Sequence, residues 1–157
     1  MKSYANAVLV KYGKDRVKYL ESVTISMSFY SDEHRIFKQA FSIRVSNHEA
    51  EKIIRKFVRH FKTKRAPSVR FYRQRKSIWR GETGRANGFH MHLNENPSVG
   101  LLIHEFAHVM QCQLHPLYKG DWQKEGRKNW HDIYFLNLMM KIDAFAKSKK
   151  YWVKNNA

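Results

Sequence analysis

One short run of the chain, His104-Glu105-Phe106-Ala107-His108, has the residue types and spacing of metal-assisted hydrolysis. Residues four apart on a helix face the same way, one turn apart, so both imidazoles can grip one ion. Glu105 lies about 100° round the helix from His104. That offset sets its carboxylate beside the metal as a general base. Zinc lowers the pKa of a bound water to about 7, and the resulting hydroxide attacks a carbonyl. A shuffled chain of 157 residues with 9 histidines would carry such a motif only about 0.03 times. The trio also interrupts an apolar stretch, Val99 to Cys112, where polar side chains are costly to bury without a partner such as a metal.

A third ligand is required, and the residues offer several. His115 follows His104 by eleven positions, not the ten of a metzincin, and Gln111 stands where that pattern needs glycine. Glu125 is available in the manner of thermolysin-like enzymes. His131 opens a second amphipathic segment that can pack against the first.

With its neighbours Asp132-Ile133-Tyr134-Phe135, His131 completes a pattern that resembles the SprT-like (Spartan-type) gluzincin metallopeptidases. In that family HExxH is followed about twenty residues later by a third histidine in His-Gly-x-x-Phe. The matching positions are His104, Glu105, His108, His131 and Phe135, over roughly residues 86–145, with Asp132 where the family has glycine. The resemblance implies a zinc peptidase with ligands His104, His108 and His131. It also implies a mixed sheet above the active-site helix and peptide bound along an edge strand, here residues 88–94. The rival is a nucleic-acid-binding protein whose zinc is structural, closed by a fourth ligand such as His115 or Glu125.

The elements that must hold this site are legible in part. Val23, Ile25, Met27 and Phe29 alternate with polar residues as a strand. After a polar turn at Ser31 to Arg35, Phe37, Phe41, Ile43 and Val45 suggest a second strand, making residues 22–45 a hairpin. A further strand is expected near Ala7 to Val10. Ser46 and Glu49 form a capping box, followed by a helical stripe of Ala50, Ile53, Ile54, Phe57, Val58 and Phe61 that Pro67 ends. Residues 68–74 read as a strand, 81–88 as a loop and 88–93 as a strand. His90 and His92 should share one face of that last strand, with Phe89, Met91 and Leu93 on the other. Asn96 as cap and Pro97 at the first position start the motif helix. A linker from Leu114 to Lys128 leads to a helix from about Trp130 to Lys147, with Ile133, Leu136, Met139, Met140 and Phe145 inward. The fold class expected is α+β: a small antiparallel-rich sheet, a basic helix and two metal-site helices in one domain, 1–147, with a basic tail, 148–157.

Charge adds a second theme. The chain carries 30 Lys and Arg against 13 Asp and Glu, a net +17. Residues 52–85 alone hold thirteen of the basic residues against Glu82. Such a block favours a polyanionic partner, nucleic acid above all, through Arg55, Arg59, Arg70, Arg73, Arg75 and Lys76. Phe71, Tyr72 and Trp79 among them can stack on bases or pack in the core. His90, His92 and Tyr134 are candidates for holding substrate or an oxyanion, against plainer roles as strand surface and packing. No apolar run reaches the length of a membrane span or a signal peptide. A single cysteine, Cys112, fits the core of a cytoplasmic protein.

Overall fold

The computed structural model describes residues 33–73, 84–114, 131 and 133–149. They form an α+β fold in which helices cover a three-stranded mixed sheet. In chain order the elements are α1 (Lys38–Ser42), α2 (Asn47–Phe61), β1 (Ser68–Tyr72), β2 (Gly84–Ala86), β3 (His90–Asn94), α3 (Val99–Leu114) and α4 (Ile133–Ser148). The expected strands at 7–10 and 23–29, the linker to Lys128 and the tail beyond residue 149 lie outside the described residues.

The second hairpin strand is a correction. Residues 33–36 are helical and run into α1. Phe37 and Phe41 are four apart, a spacing that suits one face of a helix as well as a strand, and Ala40 joins them on the helical face. The backbone bonds Phe37 N–H to Glu33 O at 2.9 Å and Phe41 N–H to Phe37 O at 3.1 Å. Only residues 43–45 are extended, and they lie against 97–99 through Val99 N–H to Ile43 O and Val45 N–H to Pro97 O.

The capped basic helix is as expected. Ser46 Oγ accepts the Glu49 N–H at 3.1 Å, and Ala50, Ile53, Ile54, Phe57 and Phe61 are buried. It ends at Phe61 rather than at Pro67, because Lys62 turns left-handed with φ 53°. The motif helix likewise starts later than expected. Asn96 has φ 49°, outside a capping conformation. Ser98 is the residue whose Oγ accepts the Leu101 N–H at 3.0 Å.

Within the sheet, β3 is central, parallel to β1 and antiparallel to β2. Two expectations fall here. Residues 84–86 of the supposed loop are strand β2. Residues 88–94 contain the central strand, so among the described residues β1 and β2 are the sheet's edges. Met91 and Leu93 are buried as expected, but Phe89, just before the strand, is exposed under the Arg65 guanidinium.

Helix α3 is the spine of the core, with its residues buried almost throughout. Phe57 of α2, Phe106 of α3 and Phe145 of α4 meet with ring centroids 5.3 Å and 6.2 Å from Phe57. The fully buried rings of Phe57 and Phe106 each contribute about 1.5–3 kcal/mol by leaving water. In α4 the inward residues are Phe135, Leu138, Met139, Ile142 and Ala146. Leu136 and Phe145 pack partly against the core. Met140 is exposed, contrary to expectation, since its position falls on the outer side of the helix. The side chain of Ile133 lies outside the description. No helix among the described residues is long and apolar enough to cross a membrane.

Candidate metal centre

Two stripes of α3 build the centre. Gly100, His104 and His108 follow at intervals of four and so lie along one stripe of the helix. Leu101 and Glu105 form the adjacent stripe. A Cβ at Gly100 would sit 2.4 Å from the Phe41 ring. Its absence lets the 33–42 segment lie against the first turn of α3, and that segment carries Glu33. A Cβ at Gly84 would sit 2.9 Å from Leu101 Cδ1 and 3.0 Å from Glu105 Oε1. Strand β2 therefore lies directly against the glutamate of the motif.

The third histidine arrives from the other side, two residues before α4 begins at Ile133. His131 Nε2 lies 3.2 Å from His108 Nε2 and 3.2 Å from His104 Nε2. All three ligand nitrogens fall within 4.8 Å of one another. Two nitrogens bound tetrahedrally at 2.0–2.1 Å from zinc stand about 3.3 Å apart. The spacing fits one ion, and three imidazoles are a donor set for a divalent transition metal. Among the described residues this is the cluster that can hold a metal ion.

Ring orientation is fixed from behind. His104, 2% exposed, places Nδ1 on the Glu33 carboxylate, which is 0% exposed. A carboxylate only accepts, so Nδ1 carries the proton and Nε2 presents its lone pair to the centre. His108 Nδ1 faces the Gln111 Oε1 at the longer distance of 3.4 Å. Phe135, fully buried, touches all three rings: it stacks on His108 at 4.4 Å and meets His104 and His131 at 5.1 and 4.9 Å. It forms an apolar wall that keeps the imidazoles from swinging away. Glu105 is only 3% exposed.

The structure thus brings together His104, His108, His131 and Phe135, with Glu105 buried on the adjacent stripe of α3 against Gly84. Glu33 went unnoticed in the sequence. It lies 71 positions before His104 in a run that reads as a polar turn. Gln113 was also missed. Its side chain bonds Arg65 O at 2.8 Å, Gly88 O at 2.6 Å and the Arg65 N–H at 3.0 Å, fastening the approaches to β1 and β3 to the end of α3. Cys112 is half-buried near Gly88 rather than central to the core. His115, Glu125, Asp132, Arg75, Lys76, Trp79 and the Tyr134 side chain lie outside the description.

The basic residues divide between two surfaces. Arg55 and Arg59 are exposed on α2, with Arg55 3.8 Å from Glu51. Arg70 is exposed on β1 and Arg73 just beyond it, while Phe71 packs partly against the core. His90 and His92 share the outward face of β3, remote in register from the buried side that meets α3. Comparison of the chain with protein families, curated proteins and solved structures returns no match.

Proposed function

We propose that the chain is a zinc-dependent metallopeptidase of SprT-like character. The ion is held by His104, His108 and His131, and Glu105 is the general base. The observation that carries this reading is the convergence of three imidazole nitrogens, two from α3 and one from the residue two before α4, with the next residue after His104 a buried glutamate. A bound zinc ion supplies Lewis acidity, activating water and polarising the carbonyl. Glu105 takes the proton of the attacking water and passes it to the leaving amine. The water oxygen joins the carbonyl carbon, the C–N bond breaks, and the proton departs on nitrogen. Glu33 and Phe135 act earlier, holding the ligand rings in the tautomer and orientation that binding needs.

The surroundings suit an extended substrate. Strand β2 is an edge of the described sheet and lies against Glu105 through Gly84. A peptide added alongside β2 by main-chain hydrogen bonds would pass the glutamate.

The test is zinc content and casein turnover on wild type, Glu105→Gln and His131→Ala. Glu105→Gln should keep one zinc per chain and lose about 10²–10⁴-fold in turnover. His131→Ala should lose the metal. Undiminished turnover in Glu105→Gln, or a wild type without metal after zinc-supplemented purification, overturns the reading.

A further inference from the structure

The sheet has a second chemistry on the side turned away from α3. Alternation along β1 leaves Ser68, Arg70 and Tyr72 outward and exposed, while Val69 and Phe71 pack inward. On β3 the outward residues are His90 and His92. Registration then aligns them. His92 is opposite Arg70 on one side and Arg85 on the other, so Arg85, His92 and Arg70 form one row across three strands. Beside it, Ser68 Oγ bonds His90 Nδ1 at 2.5 Å. The Tyr72 ring, 48% exposed, lies 5.4 Å from the His92 ring. Arg85 Nε donates to His92 Nδ1 at 3.4 Å, which holds that imidazole as an acceptor between two guanidiniums.

The charges acting on His92 are all of one sign. Its pKa is held below the usual histidine value by desolvation first, then by Arg85, Arg70 and His90. Like charges held this close raise the free energy of the bare surface, and an anion seated between them relieves it. Nor is the row a block contiguous in sequence. Arg70, Arg85 and His92 are gathered from three strands, so the fold concentrates the charge beyond what the basic stretch does.

We propose that this outward sheet face binds single-stranded nucleic acid. Arg70 and Arg85 contact successive phosphates, and Tyr72 with His92 offers rings on which bases stack. Charge complementarity selects a polyanion. The exposed rings select a strand whose bases are unpaired, because a duplex hides its base faces. Four residues of β1 span about 13 Å and three strands about 10 Å, a platform for a few nucleotides. The face lies on the side of the sheet away from α3, so the proposal stands apart from the peptidase reading.

Fluorescence anisotropy with an oligothymidylate of about 12 nucleotides, and with a duplex of the same length, tests it. The wild type should bind the single strand more tightly than the duplex. Arg70→Gln with Arg85→Gln should weaken binding by about tenfold or more, and lower the salt slope by about 1.4, at about 0.7 per phosphate contact. Tyr72→Leu should weaken it about fivefold or more. Arg55→Gln with Arg59→Gln, on α2, should change it far less. Equal losses from the helix and sheet pairs, a preference for duplex, or an unaffected Tyr72→Leu each overturn the proposal. Should the sheet pair melt early, the His92 ring proton signals of the wild type decide: displacement by oligothymidylate supports contact, and unmoved signals overturn it.

Discussion

His104 and Glu33 show how much a single buried contact can determine. A histidine ligand needs its lone pair aimed at the ion, and the tautomer that does so is set by whatever holds its other nitrogen. Glu33 does this from a fully buried position. Replacing it with glutamine preserves shape but weakens the charge-assisted bond. Glu33→Gln should therefore lose about 10- to 100-fold in zinc affinity, measured by competition with a chromophoric chelator. Unchanged affinity would show that the carboxylate is merely accommodated there. A second residue-scale expectation concerns His92. Desolvation and the neighbouring Arg85 and Arg70 disfavour its charged form. The ring stays neutral to a lower pH than a free histidine, so its contribution to stability is present above about pH 6.5 and falls as pH drops below that. By NMR its titration midpoint should lie below 6.5, and Arg85→Gln should raise it.

At the scale of elements, α3 works through the close approaches it permits. Gly100 has room for a neighbour only because it lacks a side chain: an added Cβ would lie within 2.4–2.7 Å of three carbons of the Phe41 ring. In an isolated helix alanine is the better residue by about 0.8–1.0 kcal/mol. Here the ring would have to shift, and with it the segment that brings Glu33 to His104. Overpacking of this kind costs about 1–3 kcal/mol. Gly100→Ala should therefore be destabilising in urea unfolding despite its helix propensity, and should weaken metal binding in parallel. A stabilised variant would mean that the 33–42 segment is not held against α3. His131 sits outside α4 rather than within it. Its ring packs on Phe135, the third residue of the helix, with centroids 4.9 Å apart.

For the molecule as a whole, an ion held by the three histidines would tie together segments that already pack on one another. Two ligands belong to α3, one precedes α4, and the orienting carboxylate comes from the start of the described chain. Binding to the native state alone stabilises by about 2.7 kcal/mol when free metal is 100 times its dissociation constant. For a chain of this size that corresponds to about 5–10 °C in melting temperature. Chelation should lower the calorimetric midpoint by that amount, with recovery on adding zinc. A midpoint indifferent to chelator would mean that the three histidines hold no ion that couples to folding.

The two histidines of α3 in the candidate metal cluster were legible in the sequence because a helix converts spacing into direction. His104, Glu105 and His108 need only their own helix to be placed, and the capping box at Ser46 with its apolar stripe is local in the same way. His131 came from resemblance as well as from its amphipathic setting. What lay beyond reach was set by packing between distant segments. Phe37 and Phe41 satisfy both a strand's period and a helix's, and only burial against α3 decides between them. Gly84 to Ala86 is too short for a strand pattern of its own and becomes β2 by pairing with β3. Glu33 is one carboxylate among 13 acidic residues, with nothing in its neighbours to mark it for burial. The sequence alone determined that His104 and His108 can share a metal and that the chain is strongly cationic. Tertiary structure decided which third histidine joins them, which carboxylate holds His104, which of the described strands form the edges, and which arginines share a face. Those depend on contacts between residues far apart in the chain, which no local spacing encodes.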